Sequence, residues 1–100
     1  MRILQFKVTG QNLSKDGDFS SIVAGTRGYL QTAYNFDGEW DGCKKAAVFL
    51  RYDKEYPVPI MNGKCKVPDE ITEYKRWKVY LVGEKAGYRI TTNEVEVYQS

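Results

Sequence analysis

The stretch Phe36-Asp-Gly-Glu-Trp40-Asp-Gly42, followed by the apolar run Lys44–Leu50, decides most of what this sequence predicts about its fold. Glycine tolerates positive φ and aspartate bonds its own backbone, so this cluster bends the chain sharply. Bulky Trp40 lies inside the bend, where it either plugs the end of a core or stands out as a binding anchor. We take Phe36, Trp40 and Gly42 as fold-determining residues.

On both sides of this bend, side chains alternate between apolar and polar in short runs, which is the pattern of β-strands. The predicted strands are Ile3–Thr9, Gly28–Phe36, Lys45–Tyr52, Arg76–Gly83 and Tyr88–Tyr98. We expect Lys45–Tyr52 to be a central strand covered on both sides, and a bulge near Thr92–Glu94 to restore one apolar face to the last strand. Gly10–Ser21 is polar and predicts an exposed loop, whereas Val67–Glu73 predicts one helical turn.

Asn62 and Gly63 are the favoured pair for a two-residue type I′ hairpin, and we take both as fold-determining. The register that follows sets Met61 opposite Lys64, Ile60 opposite Cys65, and Val58 opposite Val67, so that the apolar partners share one face. Pro57 and Pro59 lack an amide donor, so their strand is expected at a sheet edge.

Together these elements predict an all-β domain, an immunoglobulin-like antiparallel β-sandwich of about seven strands. The sequence has no internal repeat, low-complexity segment or linker, so residues 1–100 are expected to form a single domain.

Composition excludes several functions. Fifteen basic and thirteen acidic residues are interspersed and leave a net charge of +2, which does not predict nucleic-acid binding. Histidine is absent, so the commonest general base and metal ligand are missing. No apolar run approaches the length of about 18 residues that a membrane span needs, and the N-terminus does not resemble a signal peptide. We expect no enzymatic activity, no cofactor, no metal, and synthesis and folding in a cytoplasm.

Two local patterns admit metal or redox chemistry but favour simpler interpretations. Acids alternate from Asp37 to Asp41 as in a calcium loop, yet its twelfth position is Val48 instead of glutamate, so a capped turn is preferred. Cys43 and Cys65 are too few for a zinc site, and buried free thiols are favoured over a disulfide between them.

Tyrosines and tryptophans suggest a binding surface, although many are expected to fill the core. Tyr52, Tyr56, Tyr74, Tyr98, Trp40 and Trp77 either form a sugar-stacking platform or anchor a protein interface. The proline-bearing edge and the last strand are where subunit contacts are expected. The candidate interface residues are Tyr52, Tyr56, Pro57, Pro59 and Tyr98.

A set of residues spread over positions 36–93 resembles small virion structural proteins of phages and prophages of Firmicutes, of the tail-fibre and head-fibre type. The matching residues are Phe36, Trp40, Gly42, Lys45, Ala47, Phe49, Val67-Pro68, Glu70, Gly83 and Arg89-Ile-Thr-Thr-Asn93. The pairing of Phe-x-x-x-Trp-x-Gly with the distal Arg-Ile-Thr-Thr-Asn strand is the most specific part of the pattern.

The resemblance implies a non-enzymatic β-sandwich that builds or decorates a phage particle through protein–protein contacts, as a capsid decoration, collar, fibre or tail component. It implies other virion proteins and copies of itself as partners, assembly in the bacterial host cytoplasm, and residence in the virion. The alternatives are a carbohydrate-binding module or adhesin that contacts a host surface glycan, and a bacterial accessory domain with no role in a virion.

Overall fold

A computed structural model describes all residues, 1–100, as two β-sheets packed face to face. The strands are β1 (Arg2–Thr9), β2 (Asn12–Lys15), β3 (Leu30–Phe36), β4 (Lys44–Arg51), β5 (Lys54–Pro59), β6 (Lys64–Lys66), β7 (Arg76–Lys85), β8 (Tyr88–Thr91) and β9 (Val95–Tyr98). A 3₁₀ turn at Gly38–Trp40 and a four-residue helix α1 (Asp69–Thr72) complete the chain. With one helix of four residues, the molecule has no helix able to cross a membrane.

The predicted all-β sandwich is confirmed, with two differences in detail. The first sheet has the order β2-β1-β3-β6, and the second has the order β5-β4-β7-β8, with β9 also beside β7. Nine short strands are present instead of about seven, because the predicted loop contains strand β2 and the predicted last strand is divided into β8 and β9. The pair β1–β3 is parallel, from Arg2 opposite Leu30 to Val8 opposite Phe36. The segment 10–29 returns the chain to the same end of the sheet, as a parallel pair requires.

The core follows the predicted alternation. Its buried members come from the inward face of each long strand: Leu4, Phe6 and Val8 of β1; Leu30, Thr32 and Tyr34 of β3; Ala47 and Phe49 of β4; Trp77, Val79 and Leu81 of β7. Because the side-chain period of a strand is two, each of these runs places its large groups between the sheets.

The segment predicted as the exposed loop Gly10–Ser21 contains strand β2, so that part of the prediction is wrong. Thr9 lies opposite Asn12, and the two residues between them form a tight turn with Gly10 at a φ of 56°. Leu13 is buried in the core. One apolar residue is enough to pack this four-residue strand against the core, because β2 is an edge strand with a single buried face.

The Asn62–Gly63 turn is confirmed, but the long hairpin expected around it is not. Both residues have positive φ, 54° and 75°, and Met61 bridges Lys64 as predicted. Beyond that bridge the chain separates: β5 pairs with β4 in the second sheet, whereas β6 pairs with β3 in the first. The predicted pairs Ile60–Cys65 and Val58–Val67 are therefore wrong, because the turn lies where the chain crosses between sheets.

The predicted bulge divides the last strand and joins the two sheets. Val82 lies opposite Thr91 while Val79 lies opposite Val95, so residues 92–94 face only two residues of β7. The extra residue turns Asn93 towards β2, where its side-chain amide accepts a bond from the N–H of Leu13 (2.8 Å) and donates one to the carbonyl of Leu13 (3.1 Å). This amide imitates a neighbouring strand and caps the edge of the first sheet.

Cys43 and Cys65 are free and buried. The Sγ of Cys65 lies 3.2 Å from the hydroxyl of Thr32 across the β3–β6 pair. Burial raises the pKa of this thiol, so the uncharged form is favoured in the core.

Candidate functional site

Trp40 closes one end of the core and is not available as a binding anchor. Its side chain is 0% exposed, packs 5.1 Å from the ring of Phe36, and donates a hydrogen bond from Nε1 to the carbonyl of Gly10 (2.8 Å). Asp37 uses both carboxylate oxygens on backbone N–H groups, those of Gly10 (2.8 Å) and Glu39 (3.2 Å). The acids of this bend thus form a capped turn, and no group of three or more metal-ligating side chains occurs in the chain.

The outward faces of the two sheets differ in chemistry. The first sheet presents a largely polar face, made by Gln5, Lys7, Gln31, Asn35, Lys64 and Lys66, with Ile3 and Ala33 as its apolar members. The second sheet presents two adjoining rows that the strand register defines: Pro59–Ala46–Val82 and Pro57–Val48–Tyr80. We call these six residues the apolar patch.

Tyr80 lies across the apolar patch and is anchored at its far side. Its hydroxyl donates a 2.9 Å hydrogen bond to the carboxylate of Glu55, on the opposite side of β4. The side chain therefore crosses β4, which explains why Val48 is only 7% exposed on an outward face. Desolvation, followed by the Glu55 carboxylate, raises the pKa of Tyr80, so the hydroxyl remains a donor at neutral pH.

β4 is covered fully on its core side only. Ala46 and Leu50, on the outward side, are half-buried. The expectation of a strand covered on both sides is thus met in part, because Tyr80 and the prolines shield only the centre of this face.

The prolines block the edge of β5 against strand addition. Ile60 donates its N–H inward to the carbonyl of Lys45 (2.9 Å), so the N–H groups of alternate residues before it also point towards β4. Pro57 and Pro59 occupy the positions between, whose N–H groups would point outward. An incoming strand finds these donors missing, so this edge is closed to strand addition.

Beside the apolar patch, at the end of β4 and the start of β7, lies a concave surface of about 880 Å³. Its distinguishing side chains are three tyrosines and four cations: Tyr52, Tyr74, Tyr98, Arg51, Lys75, Arg76 and Lys78. We call this surface the tyrosine groove. It adjoins the apolar patch because Leu50 and Lys78, which line it, are register partners one row beyond Val48 and Tyr80.

Tyr52 forms the tip of the hairpin between β4 and β5 and has an unusual backbone conformation. Arg51 pairs with Lys54, which leaves Tyr52 and Asp53 as a two-residue turn, and Tyr52 has a φ of 54°. A bulky L-residue in the left-handed region is strained by roughly 1–2 kcal/mol. Despite this strain, the side chain of Tyr52 is 86% exposed and fills no part of the core.

Cations and rings are interleaved in the groove. The guanidinium of Arg51 lies 4.3 Å from the ring centroid of Tyr52 and also over the ring of Tyr74. On the other wall Tyr98 is 61% exposed, with the ammonium of Lys15 5.8 Å from its ring centroid. The adjacent carboxylate of Glu96 raises the pKa of Tyr98.

Of the five interface residues predicted from the sequence, four lie on this side of the molecule. Pro57 and Pro59 belong to the apolar patch, and Tyr52 and Tyr98 to the tyrosine groove. Tyr56 is different: it lies opposite Phe49 and packs against the core, since alternate residues of β5 point inward.

Sequence reasoning did not identify Tyr80, Val82, Arg51 or Arg76 as members of this surface. The signal for Val82 was present, because Arg76–Gly83 alternates and Val82 is an apolar residue on its polar side. No comparable signal existed for Arg51 and Arg76, which only the β4–β7 pairing brings together.

Family models, curated proteins and solved structures give no match to this chain. Its function must therefore be inferred from the chemistry of its own surface. An apolar patch and a cationic, tyrosine-lined groove thus adjoin on one side of the molecule.

Proposed function

We propose that this protein is a non-enzymatic structural component of a bacteriophage particle, acting through protein–protein contacts on the outward face of its second sheet. Two independent features support the proposal. The sequence resembles small virion proteins over positions 36–93, and one sheet face is apolar where the other is polar.

The apolar patch is the observation that carries this proposal. A soluble sandwich ordinarily places polar groups on its outward faces, and a contiguous apolar surface marks an interaction site. Here the strand edges are protected by prolines at β5 and by Asn93 at β2, while the face at Ala46, Val48 and Val82 has no cover other than Tyr80. A sheet with a protected β5 edge and an apolar patch beside it suits side-chain packing between subunits.

Other virion proteins and copies of the chain are the proposed partners, with assembly in the host cytoplasm and residence in the finished virion. Capsid decoration, collar, fibre and tail positions all fit a small module that docks by one face.

The arrangement of the rings favours assembly over sugar binding. The close aromatic pairs of the molecule lie among Phe6, Phe19, Tyr34, Phe36, Trp40, Phe49 and Trp77, mostly in the core. In the groove, Arg51 occupies a face of both Tyr52 and Tyr74, whereas a sugar platform needs open ring faces.

Incorporation into particles tests the proposal. The encoding phage or prophage is complemented with tagged wild-type chain, or with Val82→Asp in the patch, and purified particles are probed for the tag. The matched control is Ile3→Asp, an apolar-to-acidic change on the outward face of the first sheet. We expect wild type and Ile3→Asp in the particles, and Val82→Asp reduced about tenfold or more, because an interface carboxylate left unpaired loses several kcal/mol.

Absence of the wild-type chain from purified particles would refute the virion role. Equal incorporation of both variants would refute the assignment of the contact to this face. Circular dichroism of each purified variant establishes beforehand that it is folded.

A further inference from the structure

We infer that the tyrosine groove receives an acidic peptide segment from a protein other than this chain. The inference rests on the proposed function, because it names the partner chemistry of the same sheet face.

The charge of the groove selects an acidic partner. Four cations line it, Arg51, Lys75, Arg76 and Lys78, against two carboxylates, Glu94 and Glu96, which leaves an excess of two positive charges. Only the pair Lys78–Glu94, at 3.8 Å, is an ion pair. This excess of positive charge is complementary to a segment rich in aspartate and glutamate.

Two guanidinium groups are available to carboxylates. The side chains of Arg51 and Arg76 form no hydrogen bond or ion pair within the chain, although Arg51 is fixed by contact with the rings of Tyr52 and Tyr74. A guanidinium held on an aromatic face keeps its planar set of donors free at the edge. Bidentate binding of an aspartate or glutamate is the strongest contact that such a group makes.

Tyr52 and Tyr98 provide exposed rings for the rest of the segment. Tyr52 keeps a strained backbone and a solvent-exposed ring without contributing to the core, so the strain has no explanation in stability. Tyrosines rank among the residues that dominate binding energy at interfaces, since one rigid ring offers both apolar area and a hydroxyl. The apolar patch beside the groove extends the contact to apolar neighbours of the acidic residues.

A second copy of the chain does not supply the acidic segment. Its acidic loops already have internal partners: Glu73 lies 3.7 Å from Arg27, Asp18 accepts bonds from Ser20 with Arg2 nearby, and Asp37 caps its own bend. Lys85 reaches the same bend by donating to the carbonyl of Asp41. These acidic side chains are therefore held within their own loops and are less free to extend into a neighbouring groove.

Selection from a random dodecapeptide display library on the immobilised full chain tests the inference. We expect the recovered sequences to be enriched in Asp and Glu. A recovered peptide, synthesised with a fluorescent label, is then titrated by anisotropy against wild type, Arg76→Glu, Tyr52→Gly and the control Lys7→Glu. Lys7→Glu makes the same charge reversal on the polar face of the first sheet.

The affinity is expected to fall about tenfold or more for Arg76→Glu, because the change replaces an attraction for the acidic peptide with a repulsion. Tyr52→Gly should also weaken binding, while Lys7→Glu should change the affinity less than about twofold since its charge is distant and screened. Raising the salt from about 0.05 M to about 0.5 M should weaken the wild-type complex for the same reason.

Several results would overturn the inference. They are recovery of neutral or basic peptides, equal loss with Arg76→Glu and Lys7→Glu, retention of one glycan from an array in place of peptides, or a wild-type dimer in sedimentation that Arg76→Glu dissociates. Acidic peptides selected by a chain absent from particles would sink the virion role alone. A chain present in particles that selects no acidic peptide would sink this inference alone.

Discussion

Strand β4 lies between two bends that each carry an aromatic residue, and the two aromatic side chains differ in their exposure to solvent. Trp40, before β4, is 0% exposed and hydrogen-bonded to the backbone of Gly10. Tyr52, directly after β4, is 86% exposed, and the guanidinium of Arg51 lies over its ring. The first ring holds the fold together, whereas the second is presented to solvent.

The backbone at each bend matches this division. In the first bend the positive φ of 78° falls on Gly42, which adopts it without strain, and Asp37 satisfies the exposed N–H groups of the turn. In the second bend the positive φ falls on Tyr52 itself, where glycine or asparagine would be the favoured residue. Conformational ease at the first bend fits a role in stability, and strain at the second bend fits the recognition role that we propose for Tyr52.

Removing the buried ring should have the largest effect. Trp40→Ala leaves a cavity at the end of the core and orphans the Gly10 carbonyl, so we expect a loss of about 3–5 kcal/mol in the free energy of unfolding. Urea denaturation followed by circular dichroism measures it. Tyr52→Ala is the matched control, and a loss as large as that of Trp40→Ala would contradict the division between the bends.

The space around Trp40 gives a second and sharper test. A Cβ at Gly83 would lie 2.7 Å from Cζ3 and 2.8 Å from Cε3 of the Trp40 ring, so Gly83→Ala should destabilise the protein by about 1–3 kcal/mol. Both clashing atoms belong to the six-membered ring of the indole, and the smaller side chain of the Trp40→Phe variant lacks them. In a double-mutant cycle, Gly83→Ala should therefore destabilise the Trp40→Phe background by much less than the wild type. Additive losses would show that Gly83 is required for another reason.

These features could be predicted from the sequence only where the residue types themselves determine the local backbone structure. Asp37 and Gly42 beside Trp40 predict a turn there, and Asn62–Gly63 predicts a two-residue turn. These two turns were therefore predictable from the sequence. Neither pattern states which strand pairs with which, and the split of β5 and β6 between sheets was consequently missed. Tyr52 gave no turn signal, because tyrosine rarely adopts positive φ and its conformation follows from the Arg51–Lys54 pairing.

The candidate surface was predictable to a similar depth. Pro57 and Pro59 predict an edge strand because they lack an amide donor, and β5 does lie at the edge of the second sheet. The parallel pair β1–β3 and the meeting of Arg51 with Arg76 are products of topology. The alternation of apolar and polar residues predicts which face of a strand each side chain occupies, but it does not predict which strands lie beside one another.

The cap of the first bend should contribute less than its ring. Asp37→Ala removes the acceptor for the N–H groups of Gly10 and Glu39, and a loss of about 1–2 kcal/mol is expected in the same denaturation experiment. Asp53→Ala, in the exposed bend, is the control and should change stability by less than about 0.5 kcal/mol. Equal effects of the two changes would show that the Asp37 cap is not specific to the buried bend.

Tyr52→Gly should have the smallest effect and the opposite sign. Glycine relieves the left-handed strain of roughly 1–2 kcal/mol but adds about 0.5–1 kcal/mol of chain entropy to the unfolded state, so a net gain of up to about 1 kcal/mol is expected. Tyr29→Gly is the matched control: this tyrosine is also exposed, at 47%, but its φ is not positive, so only the entropic loss applies and stability should fall. A variant that is more stable and yet binds acidic peptide more weakly identifies Tyr52 as a residue retained for recognition at the expense of the fold. If Tyr52→Gly is instead destabilised as much as Tyr29→Gly, the exposed ring supports the hairpin and the contrast between the two bends disappears.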